Sequence, residues 1–127
     1  MSLLDRSRPV TIDGQQYDML MTTEATIEIA DMVGGLENFD TALEALDAKD
    51  MLLMLTNLTV VLVNQGTAAH KYKDPSYDRP QLTAETLRII TAPSDLLALK
   101  GQIQDAIEAG MDLNIKREDD EKNLNAG

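Results

Sequence analysis

The alternation of apolar and polar positions near the N-terminus predicts a β-hairpin. Residues 9–12 and 15–21 read as two strands, and Asp13-Gly14 between them tolerates the positive φ values of a two-residue type I′ turn. The apolar positions on one face of the second strand are Tyr17, Met19 and Met21. Leu20 is apolar on the other face, so we expect a strand that helices partly cover.

The next segments carry apolar residues at helical spacing and begin at residues that cap helices. Thr22 or Thr23 can accept a hydrogen bond from the first turn of a helix, and the glycine pair at 34–35 ends that helix. Thr41 and Glu44 have the spacing of a capping box, which predicts a second, short helix.

The middle of the chain is apolar on nearly every side from about residue 50 to about residue 70. This pattern predicts a helix packed against several neighbours at the centre of the core. Its longest apolar run, residues 51–63, is shorter than the ~20 residues that a bilayer span needs. Residues 71–80 are rich in proline and aspartate, which predicts an exposed loop.

Two more helices are predicted after this loop. Thr83 can cap the first of them, Pro93 ends it, and Ser94 is positioned to cap the last helix. One face of that last helix carries Leu96, Leu99, Ile103 and Ala106. Gly101 lies inside the pattern at a cost of about 1 kcal/mol relative to alanine, which suggests close packing or a tolerated weakness.

These elements predict a mainly α fold with about five helices around a central apolar helix and a small N-terminal β-hairpin. We expect a flexible N-terminus over residues 1–8, a single domain over residues 9–111, and an acidic, disordered tail over residues 112–127. A chain of 127 residues buries roughly two-thirds of its unfolded surface, so one core can support the domain.

Composition narrows the possible partners. The chain has 22 acidic against 11 basic residues and a net charge of −11, which makes DNA and anionic membranes poor partners. It has no cysteine, which excludes disulfides, thiolate metal sites and cysteine nucleophiles. Seven methionines outnumber the four aromatic residues, so its apolar surfaces are aliphatic and adaptable.

Candidate chemistry is sparse. His70, the single histidine, has no nearby histidine or cysteine, so we interpret it as an exposed surface residue. Pairs such as Asp74 and Asp78 lack the apolar flanks that would raise a carboxyl pKa for catalysis. The serines and glycines match neither a nucleophile elbow nor a phosphate loop. The sequence therefore predicts no enzyme, catalytic residue, cofactor or metal.

The aliphatic helices favour a protein that binds other proteins. Most of these residues belong to the core, but one helix face can remain open for a partner's amphipathic helix or for another copy of the chain. Amphipathicity selects these partner-binding candidates: Tyr17, Met19, Met21, Leu96, Leu99, Ile103 and Ile107.

Two stretches together resemble the tail assembly chaperones of long-tailed bacteriophages and prophages. The first is VTIDGQQYDMLMTTEATIEIADMVGGLENFDTALEAL, with a short strand, a turn, an aliphatic strand, a helix started by threonine and a short helix after glycine. The second is LTAETLRIITAPSDLLALKGQIQDAIEAGM, with a helix, a proline break and a last apolar-faced helix. With the central helix, the resemblance covers roughly residues 9–111.

The resemblance implies a function in virion morphogenesis. Members of that family bind the long tape measure protein, keep it soluble and recruit tail tube subunits. They act in the cytoplasm of the bacterial host and are absent from the mature virion. We therefore expect the tape measure protein and the tail tube protein as partners, and we expect the chain to form homo-oligomers. Many members of the family also make a longer form by ribosomal frameshifting.

The sequence leaves two alternative functions open. One is an acidic inhibitor that mimics DNA, although the lysines and arginines scattered among the carboxylates argue against it. The other is a structural subunit of a phage neck or tail. An enzyme ranks last, because the sequence offers no nucleophile, metal cluster or phosphate loop.

Overall fold

The structure, a computed structural model, describes residues 3–111. The predicted acidic tail at residues 112–127 lies outside this part of the chain. The elements are β1 (Arg8–Ile12), β2 (Gln15–Met19), α1 (Thr23–Val33), α2 (Phe39–Glu44), α3 (Ala48–Lys73), α4 (Ala84–Ile90), α5 (Pro93–Ala98) and α6 (Lys100–Gly110). The predicted fold class is confirmed: helices surround a long central apolar helix, and a two-stranded antiparallel hairpin lies at the N-terminus.

The hairpin forms as the local sequence predicts. Asp13 and Gly14 have φ values of 50° and 75°, the left-handed region that the turn requires. Val10 pairs with Tyr17 in the ladder. The second strand ends at Met19, two residues earlier than predicted, because the Leu20 amide donates a hydrogen bond to the Leu62 carbonyl of α3 at 3.0 Å.

Helix α3 forms the centre of the core. It begins after Asp47, whose carboxylate accepts a hydrogen bond from the Asp50 amide at 2.8 Å. Its 26 residues are enough, by length and mean hydropathy alone, to cross a membrane, so the length argument from residues 51–63 does not extend to the whole helix. The packing of α3 is that of a core helix, because the hairpin, α1, α4, α5 and α6 all contact it.

Glycine brings the hairpin directly against α3. A Cβ atom added at Gly66 would overlap the carbonyl oxygen of Asp18 in β2. At Gly110, the last residue of α6, an added Cβ would overlap the side chain of Met21. Gly101 differs, since nothing lies within 4 Å of its added Cβ, so it is a tolerated weakness rather than a site of close packing.

Two predicted caps are wrong. Helix α2 begins at Phe39, directly after a 3-10 turn at Leu36–Asn38, so Thr41 lies inside the helix and makes no capping box. Ser94 is not the cap of α5, because Pro93 already occupies the first helical position, where its fixed φ fits and its missing N–H is not needed. The Asp95 carboxylate instead accepts a hydrogen bond from the Ala92 amide at 2.9 Å.

Other boundaries also differ from the prediction. Leu99 interrupts the predicted last helix, which is therefore divided into α5 and α6. Helix α3 continues through Lys73, so the loop begins later than residue 71. Within the predicted flexible N-terminus, Leu3–Arg6 forms a 3-10 turn that contacts α3 and α6.

Candidate functional site

A groove lies where the first turns of α3 meet the link between α4 and α5. We call it the α3–α4–α5 groove; its volume is about 280 Å³, and it is lined by Lys49, Leu52, Leu53, Thr56, Arg88, Thr91, Ala92, Pro93 and Leu96. Leu53 is 39% exposed there, whereas Leu96 is 4% exposed and forms part of the floor. The groove is thus an open, mainly aliphatic surface.

Local sequence places the walls of this groove. Thr83 caps α4 by accepting a hydrogen bond from the Thr86 amide at 3.0 Å. Thr91 and Ala92 are extended, as expected for the residues that follow the helix and precede a proline. Pro93 then starts α5 immediately, so the end of α4 and the start of α5 both face α3.

The two threonine hydroxyl groups in the lining of the groove have no proton left to donate to a ligand. The Thr56 hydroxyl donates to the Leu52 carbonyl at 2.7 Å, and the Thr91 hydroxyl donates to the Leu87 carbonyl at 2.7 Å. Both side chains therefore turn their hydrogen-bond donors back onto their own helices. Among the lining side chains, hydrogen-bond donors therefore remain available to a ligand only on Lys49 and Arg88.

The charges at the groove are opposite to those of the chain as a whole. Lys49 and Arg88 are exposed, and none of the described lining residues is acidic. Within residues 3–111 neither cation makes an ion pair. The groove therefore combines apolar side chains with two available positive charges.

A second hollow lies between the 3-10 turn before α2 and the end of α6. Its volume is about 360 Å³, and its lining includes Glu37, Asp40 and Glu108 beside Phe39 and Ile107. The described lining carries no basic residue, so this hollow would repel an anionic partner.

The predicted partner-binding residues are mostly inside the protein. Five of them belong to the buried core, and of these Leu96 also lines the α3–α4–α5 groove: Met19, Met21, Leu96, Leu99 and Ile103. Tyr17 is half-buried beneath Arg79, whose guanidinium lies 4.9 Å from the ring centroid. Ile107 is half-buried in the acidic hollow. Tyr17 and Ile107 are the most exposed of the predicted residues, and Leu96 can be reached only through the groove.

His70 is half-buried rather than fully exposed as expected. Its Nε2 atom lies 2.6 Å from Oδ2 of Asp18, and its ring stacks on Tyr77 with a centroid separation of 4.8 Å. These contacts tie the end of α3 to β2 and to the following loop. No group of three or more metal-ligating side chains occurs in the part of the chain that the structure describes.

Comparison with known proteins identifies no relative. No protein-family model, no curated protein and no solved structure matches the chain. The features of the chain that bear on its function are the groove, the charge distribution and the order of elements along the chain.

Proposed function

We propose that the chain is a non-catalytic tail assembly chaperone of a long-tailed bacteriophage or prophage, which binds the tape measure protein and recruits tail tube subunits during tail morphogenesis. The observation that carries the proposal is the open aliphatic groove on a strongly acidic helical domain. The order of hairpin, helices, proline break and last helix agrees with the pattern of the family that the sequence resembles.

The physical properties of the chain suit this function. A tape measure protein is a long helical chain whose apolar stripes aggregate when they are exposed. A small domain can cover such a stripe with an aliphatic groove, while its net charge of −11 keeps neighbouring copies soluble through mutual repulsion. Many weak contacts along one filament would together give stable coverage.

Co-expression tests the proposal directly. A tagged form of the chain is produced together with a tape measure protein encoded in the same genome, and the complex is purified and examined by light scattering. We expect co-purification of the long helical protein and self-association of the chain. A strict monomer that does not co-purify with that protein would overturn the proposal.

Mass spectrometry of purified virions provides a second test. A chaperone leaves before assembly is complete, so its peptides are expected in infected-cell lysates and not in finished particles. Stoichiometric recovery from particles would instead identify a structural subunit of the neck or tail.

A further inference from the structure

We propose that the α3–α4–α5 groove binds an amphipathic helix whose apolar stripe is flanked by carboxylates, and that Lys49 and Arg88 pair with those carboxylates. This inference rests on the proposed function in taking a helical protein as the partner. It adds the surface that is used and the chemistry that the partner must carry.

The shape and polarity of the groove favour a helix over other ligands. The hydroxyl protons of Thr56 and Thr91 are already donated within their own helices, so the carbonyl groups of an extended peptide would find side-chain donors in the lining only on Lys49 and Arg88. A helix satisfies its backbone internally and presents apolar side chains, which Leu52, Leu53 and Pro93 can contact.

The positive charges in the groove favour a partner helix that carries acidic residues beside its apolar stripe. Acidic residues outnumber basic ones two to one in the chain, yet the described lining of this groove has two basic residues and no acidic one. The second hollow has the reverse composition, with Glu37, Asp40 and Glu108 and no basic residue among its described lining. An anionic helix is therefore attracted at the groove and repelled at the hollow.

The test uses the full chain and two designed helical peptides as probes. Both peptides carry the same leucine stripe, and the flanking positions are glutamate in one and lysine in the other. At physiological salt, charges are screened over about 8 Å. Under these conditions we expect the wild type to bind the glutamate peptide about tenfold more tightly than the variant K49E/R88E does. Two exposed ion pairs can supply an affinity difference of this size. K49E/R88E is expected to prefer the lysine peptide.

A charge-matched variant provides the control. K71E/K73E changes the net charge by the same amount, and both residues are exposed in the last turn of α3, outside the described lining of the groove. We expect K71E/K73E to keep the preference of the wild type. NMR shift changes from the peptide are expected at Leu53, Arg88 and Thr91.

Several results would overturn the inference: equal affinity of the wild type for the two peptides, failure of the glutamate peptide to bind the wild type, shift changes confined to the acidic hollow, or the same loss in K71E/K73E as in K49E/R88E. Co-expression with the tape measure protein separates this inference from the proposed function. If the wild type and K49E/R88E co-purify equally with it, the groove inference fails and the function stands. If the peptides bind as expected but the tape measure protein does not, the function fails and the groove inference stands.

Discussion

The two ends of α3 are packed in opposite ways. Near the C-terminal end, Gly66 contacts the backbone of β2, and His70 pairs with Asp18 and stacks on Tyr77. Near the N-terminal end, Leu53 is partly exposed and Lys49 makes no ion pair within the described residues. One helix thus provides both a tightly fitted attachment for the hairpin and an open surface beside α4 and α5.

This difference separates stability from binding. We call the C-terminal part of α3 around Gly66 and His70 its closed end. Substitutions there should change the free energy of unfolding, because they disturb backbone contact and buried packing. Substitutions of exposed groove residues should change partner binding with little effect on stability.

Gly66→Ala should destabilise the protein by about 3 kcal/mol, at the upper end of the usual range for overpacking. The added methyl group would overlap the Asp18 carbonyl oxygen, and the backbone there cannot move without separating β2 from α3. Urea unfolding followed by circular dichroism measures the change.

Gly101→Ala is the matched control, since it makes the same substitution in a helix where nothing lies within 4 Å of the added Cβ. Alanine is the better helix former, and because Gly101 is only the second residue of α6 we expect a gain of about 0.5 kcal/mol. Equal effects at the two positions would contradict the close contact between β2 and α3.

The pair formed by Asp18 and His70 should contribute a smaller amount at the same closed end. Both side chains are 27% exposed, so solvent screens their interaction, and we expect a coupling of about 1 kcal/mol. A double-mutant cycle with Asp18→Asn and His70→Ala measures it. Strictly additive effects would show that the pair does not hold the hairpin on the helix.

Thr59→Val should stabilise the protein by up to about 1 kcal/mol. Thr59 is fully buried in α3, and its hydroxyl has no hydrogen-bond partner among the described residues, so valine removes an unsatisfied polar group of similar volume. Thr56→Val provides the comparison, because the Thr56 hydroxyl is bonded to the Leu52 carbonyl. We expect no gain there, and equal gains in thermal unfolding would contradict the assignment of an unpaired hydroxyl.

The fold was predictable where short-range chemistry determines it. Asp13-Gly14 specifies its turn, and Thr22 and Thr83 cap helices, because each effect involves residues within one turn of the chain. Ser94 failed as a predicted cap for the same local reason, since Pro93 already fits the first helical position.

The candidate site was less predictable, because periodicity identifies an apolar face without showing what covers it. Leu96 and Ile103 share such a face, and the structure places both in the core. Lys49 and Arg88 line the same groove but are distant in sequence. Periodicity within a single helix therefore cannot predict that they lie on one surface.

The loop that follows the closed end of α3 should contribute little to the free energy of unfolding. The Ser76 hydroxyl and then the Ser76 amide, both donating to the Asp74 carboxylate, lower the pKa of Asp74 below its ordinary value. A carboxyl whose pKa is depressed by folding stabilises the folded state above its unfolded pKa, and that contribution disappears as the pH falls through the folded pKa.

Because Asp74 is fully exposed, Ser76→Ala should raise its pKa toward the ordinary value with little change in the free energy of unfolding. An NMR titration of the carboxyl carbon measures the shift, and Ser94→Ala, at an exposed serine on α5, is the control that should leave it unchanged. If Ser76→Ala lowered stability as much as His70→Ala, the closed end of α3 would extend into this loop.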